Sequence, residues 1–102
     1  MLYYHRATIT FNRLNAMQIQ KKVWPEYFQK IMAGDKTFEV RLADFDCAPG
    51  DTLVLREWNP VTGDYTGRTL EKHVNCVIKT KELIFWTPEE IEKFGYQIIG
   101  FK

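Results

Sequence analysis

The 102-residue chain contains no serine. A serine nucleophile with a histidine partner is therefore excluded. No Gly-x-Ser-x-Gly turn exists, and His5 and His73 stand at no recognisable triad spacing. Cysteine is scarce too. Cys47 and Cys76 lie far apart, in no spacing that suits a structural metal, and read as small buried residues. No metal and no cofactor are expected, and Asp44 and Asp46 read as turn formers. No apolar run approaches the roughly 20 residues of a membrane span, and no signal-peptide core opens the sequence. A cytoplasmic protein without membrane contact, and a monomer, is the expectation. Net charge is also small, at +1, which excludes an overall basic field for non-specific nucleic-acid binding.

What charge there is lies unevenly. Residues 1–41 hold seven Lys/Arg against three Asp/Glu, a balance of +4, whereas residues 42–102 hold seven against ten, a balance of −3. A local basic patch in the first part is compatible with the small total. With 45% hydrophobic and 15% aromatic residues, the chain can build one core.

The punctuation of the sequence predicts its elements. Alternation marks short strands over residues 7–12 and 17–23. Residues 1–16 read as an N-terminal extension or an edge strand, and residues 17–102 as the domain. Trp24-Pro25 opens a helix of about residues 25–33, because proline suits the first helical position. Phe28, Ile31 and Met32 form its apolar stripe, and Gly34 is its left-handed stop. A strand is expected over 37–42, then a Pro49-Gly50-Asp51 turn and a strand from Thr52 to Trp58. Asn59-Pro60-Val61-Thr62-Gly63 reads as a hairpin turn, with Gly63 placed for the positive φ of a bulge. Residues 69–79 predict a long returning strand with Val74, Cys76 and Ile78 on one face. Thr87-Pro88-Glu89-Glu90 carries an N-cap, a first-position proline and a capping-box glutamate, with Trp86 and Ile91 stapled across it. Phe94 closes that helix's stripe, Gly95 stops it, and residues 97–101 read as a last strand. Five to six short strands and two short helices define an α+β domain with a mixed or closed sheet.

The stretch from Ala33 to Arg41 concentrates the chemistry. Alternation places Phe38, Val40 and Leu42 on one face and Thr37, Glu39 and Arg41 on the other, with Lys36 where the strand begins. Lys36 and Arg41 suit a phosphate or a developing oxyanion. Glu39, beside those cations, suits an acceptor or base more than an acid. The same row is also what a salt bridge closing one end of a sheet looks like. Trp24, Trp58 and Tyr65, near Arg56 and Arg68, are flat rings of the kind on which unpaired bases stack. They serve equally as packing for a helix start and for a hairpin.

The residues Gly34, Lys36, Glu39 and Arg41 match a Gly-x-Lys-x-x-Glu-x-Arg signature. On this ground the chain resembles the ASCH domains of the PUA-like superfold over about residues 17–101. The segment Arg56-Glu57-Trp58-Asn59-Pro60-Val61-Thr62-Gly63-Asp64-Tyr65-Thr66-Gly67-Arg68 is similar to the hairpin of one ASCH-like subfamily of unknown function. The resemblance implies a small β-barrel of five to six strands with two short helices. It also implies a cleft floored by Lys36, Glu39 and Arg41. Some ASCH members are hydrolases, including a small acetylcytidine amidohydrolase. That enzyme is similar to this chain at Lys36, Thr37 and Arg41 but has threonine where Glu39 stands.

The expected function is a module that binds RNA or a modified nucleotide. Lys36, Thr37, Glu39, Arg41, Trp24, Arg56, Trp58 and Tyr65 are its candidate ligand contacts. The alternative is a hydrolase of a modified nucleoside or of RNA in the same cleft, with Lys36 and Glu39 catalytic. A third reading is a protein-interaction domain built on the Trp58–Tyr65 hairpin.

Overall fold

The computed structural model describes residues 15–101, so the strand expected over residues 7–12 lies outside the described residues. Strand β1 runs Gln18–Val23 and leads through Trp24 into helix α1, Pro25–Met32. Pro25 sits in the first turn, Glu26 lies near the positive end of the helix and Lys30 near the negative end. Ala33 caps the helix and Gly34 follows at φ 82°. There the Asp35 and Lys36 amides donate back to the Lys30 carbonyl at 3.0 and 3.1 Å. This reversal needs a left-handed residue, which glycine supplies without strain.

Strand β2, Thr52–Asn59, lies parallel to β1 with Lys21 opposite Leu55 and Lys22 opposite Arg56. Strand β3, Asp64–His73, returns antiparallel to β2. The turn between them is tied by Asn59. Its side chain accepts from the Val61 amide at 2.9 Å, and its carbonyl accepts from the Gly63 amide at 2.8 Å. The sheet order is β1-β2-β3, with β2 central. Helix α1 packs on β2, and the core consists of Val23, Phe28, Ile31 and Leu55, flanked by Leu53 and Leu70. A 3-10 turn, Thr80–Glu82, and helix α2, Pro88–Phe94, complete the described elements. The expected capping box is present: the Glu90 amide donates to Thr87 Oγ1, and the Glu90 carboxylate accepts from the Thr87 amide. The Thr87 amide and, next, the Thr87 hydroxyl both donate to Glu90 Oε1, and these two hydrogen bonds hold the Glu90 carboxyl below its ordinary range. None of the residues of α2 is buried, so Phe94 does not close a packed stripe.

The closed barrel of five to six strands is not what forms. The described residues form a single open three-stranded mixed sheet and two short helices. Two expected strands, and the end of a third, fail for want of a ladder partner. Residues 37–42 form no strand and join no sheet. Val40 is 63% exposed and Leu42 80%, so the face expected to be apolar core is mostly solvated. The Arg41 guanidinium, rather than a backbone amide, reaches the Lys22 carbonyl of β1. Strand β3 ends at His73, and residues 74–79 leave the sheet after the Val74 amide has donated to the Asp51 carbonyl at 2.8 Å. Residues 97–101 form no strand, and Gly100 lies against the Phe38 ring. A Cβ on Gly100 would meet two atoms of that ring at 2.6 Å, so a larger residue there would displace it. Alternation specifies which way side chains would point in a strand; pairing must come from a partner.

The bulge also falls elsewhere than expected. It lies between Arg56 and Trp58, where Arg56 pairs with Thr69 and Trp58 with Tyr65. Three residues of β3, Thr66-Gly67-Arg68, therefore face Glu57 alone, and Gly67 turns the chain at φ 95°.

Candidate functional site

Lys36, Thr37, Glu39 and Arg41 line one cleft of about 440 Å³. That volume falls within the roughly 300–1,000 Å³ typical of small-molecule sites. The end of α1 places these residues, because the Gly34 reversal directs the chain across the α1 face of the sheet. Glu39 organises both cations. Its Oε1 accepts from Lys36 Nζ at 2.7 Å and its Oε2 from Arg41 Nε at 2.9 Å. The carboxylate is only 16% exposed and Lys36 14%, so solvent screens this contact less than a surface pair. Lys36 also donates to the Phe38 carbonyl, and Arg41 to the Lys22 carbonyl. An ammonium has three donors and a guanidinium five. Each cation thus keeps donors beyond its contacts within the chain, while Glu39 acts as a strut that fixes where they point.

The cleft is more basic than the motif alone. Lys21, Lys72 and Lys79 join Lys36 and Arg41 along its lining, where Glu39 is the only acid among the described residues. Lys21, Lys72 and Lys79 are the members that sequence reasoning missed. Register places Lys21 and Lys72 opposite Leu55 and Leu53, on the side of the sheet that carries the core. No signal in the sequence marks these two, because the face they share is set by the register. Phe38 and Phe45 supply aromatic walls, each with a cation over its ring: Lys36 at 4.9 Å and Lys21 at 3.6 Å from the ring centroid. Cys47 and Cys76 both line the cleft, and Cys76 is exposed rather than buried.

The other candidates lie elsewhere. Trp24 precedes α1, half exposed, and its carbonyl accepts from the Phe28 amide at 2.9 Å. Trp24 does not line the cleft. Trp58 and Tyr65 form a cross-strand pair, edge to face, with centroids 4.9 Å apart. Lys22 lies over Trp58 at 3.7 Å and the Arg56 guanidinium over Tyr65 at 3.7 Å. This group occupies the sheet face opposite α1, because Lys22, Arg56 and Trp58 alternate with Lys21, Leu55 and Glu57.

The bulge builds a second polar cluster behind α1. Arg68 holds Glu57 with both ends of its fork, Nε to Oε1 at 2.9 Å and Nη2 to Oε2 at 2.7 Å. Thr66 donates its hydroxyl to the same Oε1 at 2.6 Å. Glu57 is only 3% exposed. The hydrogen bonds from Arg68, then that from Thr66, hold its carboxyl below the ordinary range against the opposing effect of burial. The same pairing raises the Arg68 guanidinium further. Arg68 also lies over the Phe28 ring, 4.9 Å from its centroid, so the pair joins hairpin to helix.

Among the described residues no group of three or more His, Cys, Asp and Glu is placed to hold a metal ion. Nor is any helix among them long and apolar enough to cross a membrane.

Comparison with known proteins gives a family without an assigned activity. The model of a domain of unknown function, DUF3850, matches residues 20–100. An uncharacterized 12.9 kDa protein encoded in the GpA 3′ region of Escherichia phage P2 is 39% identical over 56 residues. That match takes in 55% of this chain and 50% of the relative, so the chain spans about half the length of the curated protein it matches. No solved structure matches the chain.

Proposed function

The chain belongs to the DUF3850 family, a domain of unknown function, and we propose that its cleft binds the phosphate and base of RNA or a nucleotide. One observation carries the reading. Among the described residues, five Lys and Arg side chains and a single carboxylate line a cleft that also presents Phe38 and Phe45. Such a lining favours an anion, and the rings favour a flat group attached to it. Lys36 and Arg41 hold the phosphate, with Glu39 fixing their positions. Thr37 supplies a hydroxyl to the sugar or base edge. The resemblance of Gly34–Arg41 to the ASCH signature supports the same ligand class. The reading takes the protein as a cytoplasmic monomer.

Binding is better supported than hydrolysis. Glu39 accepts from one cation at each oxygen, which accounts for it as a strut that positions them and asks no catalytic step of it.

Calorimetric titration with uridine 5′-monophosphate at low salt tests the proposal. The wild-type protein binds. Lys36→Ala weakens binding about tenfold or more, the loss of one charge-assisted hydrogen bond. Absence of wild-type binding at low salt overturns the reading.

A further inference from the structure

Two clefts meet at Arg41. Besides lining the first, Arg41 and Lys21 line a second of about 300 Å³, together with Gln20, Lys22, Arg56 and Tyr65. The second opens on the sheet face away from α1. Arg41 joins them around β1, which is an edge strand among the described residues: its Nε reaches Glu39 on one side and its Nη2 reaches the Lys22 carbonyl. A mononucleotide in the first cleft leaves the second cleft empty, although four of its six lining residues are basic.

The second cleft has its own recognition chemistry. Lys21, Lys22, Arg41 and Arg56 line it, with no acid among the described residues of its lining. The nearest acid on that face by register is Glu71, one row away opposite Val54. Next to the cations stand two rings. The Arg56 guanidinium lies over Tyr65, and Lys22 lies over Trp58. A guanidinium stacked on a ring presents its other plane outward, a platform for a base, while its edge can meet a phosphate. Gln20 adds an amide that donates and accepts in one plane, as a base edge does. Alternating cations and flat groups along a continuous path match a strand that alternates phosphates and bases.

We propose that the two clefts form one surface around the β1 edge, and that it holds a single-stranded oligonucleotide. One nucleotide occupies the Lys36–Arg41 cleft, and its neighbour crosses Arg41 to the Lys22–Arg56–Tyr65 face. The proposal rests on the nucleotide reading of the first cleft and extends it from one nucleotide to several. The Trp58–Tyr65 hairpin becomes a nucleic-acid surface, with protein binding there as the competing outcome.

The test compares uridine 5′-monophosphate with single-stranded hexauridylate on the full chain, across a salt series. Wild-type protein binds the hexamer more tightly than the monophosphate. The double variant Lys22→Gln, Arg56→Gln keeps the wild-type affinity for the monophosphate. It loses affinity for the hexamer, and the slope of log K against log salt becomes shallower by about 1.4, the value for two lost phosphate contacts on a single strand. Lys36→Gln weakens both ligands. A hexamer that binds no better than the monophosphate overturns the proposal and leaves the first cleft's reading intact. So does a double variant with unchanged hexamer affinity and slope. If neither ligand binds wild-type protein, both readings fall and the hairpin face is left to a protein partner. If the hexamer binds but Lys36→Gln leaves it unaffected, continuity between the clefts is overturned.

Discussion

Glu57 and Arg68 sit across the β2–β3 bulge in a two-point contact of 2.9 and 2.7 Å. Their environments differ. Glu57 is buried, and the Arg68 side chain is 46% exposed. The pair couples the hairpin to α1 through the Phe28 ring, so it holds the back of the sheet whose two faces carry the clefts.

That asymmetry predicts an ordering of variants. Arg68→Ala strands a buried carboxylate with Thr66 as its remaining side-chain partner. Glu57→Gln leaves a guanidinium that water can reach. Arg68→Ala therefore lowers the urea midpoint more than Glu57→Gln does. Arg68→Lys falls between the wild type and Arg68→Ala, because an ammonium keeps a charged partner for the carboxylate but loses the planar two-point contact. Equal midpoints for Arg68→Ala and Glu57→Gln would contradict the account.

The lowered Glu57 carboxyl also sets a pH dependence. Its native value lies below that of the unfolded chain, about 4.3 for an ordinary glutamate. Between those two values the unfolded state binds more protons, so stability rises with pH across that window. The contribution is fully present above the unfolded value and is lost as pH falls through the native one. Unfolding midpoints measured from pH 6 down to pH 3 fall less steeply in Glu57→Gln than in the wild type. Parallel curves would remove Glu57 from the acid response.

The small core makes its members sensitive. Leu55 is 1% exposed and packs with Val23, Phe28 and Ile31. Leu55→Ala costs about 2–5 kcal/mol by lost burial and the cavity left behind. Val61→Ala at the exposed hairpin tip stays within about 0.5 kcal/mol of the wild type. Chemical denaturation of both variants checks the contrast.

Local punctuation made much of the fold legible. Pro25 and Gly34 bracket α1 to within one residue of its expected end, the Thr87–Glu90 box starts α2, and Asn59–Gly63 closes the hairpin. Each of these signals acts within a few residues. That the sheet stays open among the described residues, where a barrel was expected, was not legible, because closure depends on partners distant in sequence. Phe38, Val40 and Leu42 alternate as a strand would, yet Phe38 meets Gly100 through its ring, Val40 and Leu42 are exposed, and no ladder forms. In the cleft, the row Lys36, Thr37, Glu39 and Arg41 could be found from spacing, and these residues do share one concavity. Lys21 and Lys72 could be found only once β1 and β3 were in register against β2. Glu57 and Arg68 needed the bulge, whose position Gly67 decides rather than Gly63.

The central claim is that the Lys36–Glu39–Arg41 cleft is the site where a nucleotide binds. Backbone amide chemical shifts recorded while uridine 5′-monophosphate is titrated into the protein test it most directly. The account predicts saturable shifts concentrated at Lys36, Thr37, Glu39 and Arg41 and at Lys21 and Lys72 across the cleft, with α2 unmoved. Shifts confined to α2 and residues 95–101, or no saturable shifts at all, would contradict it.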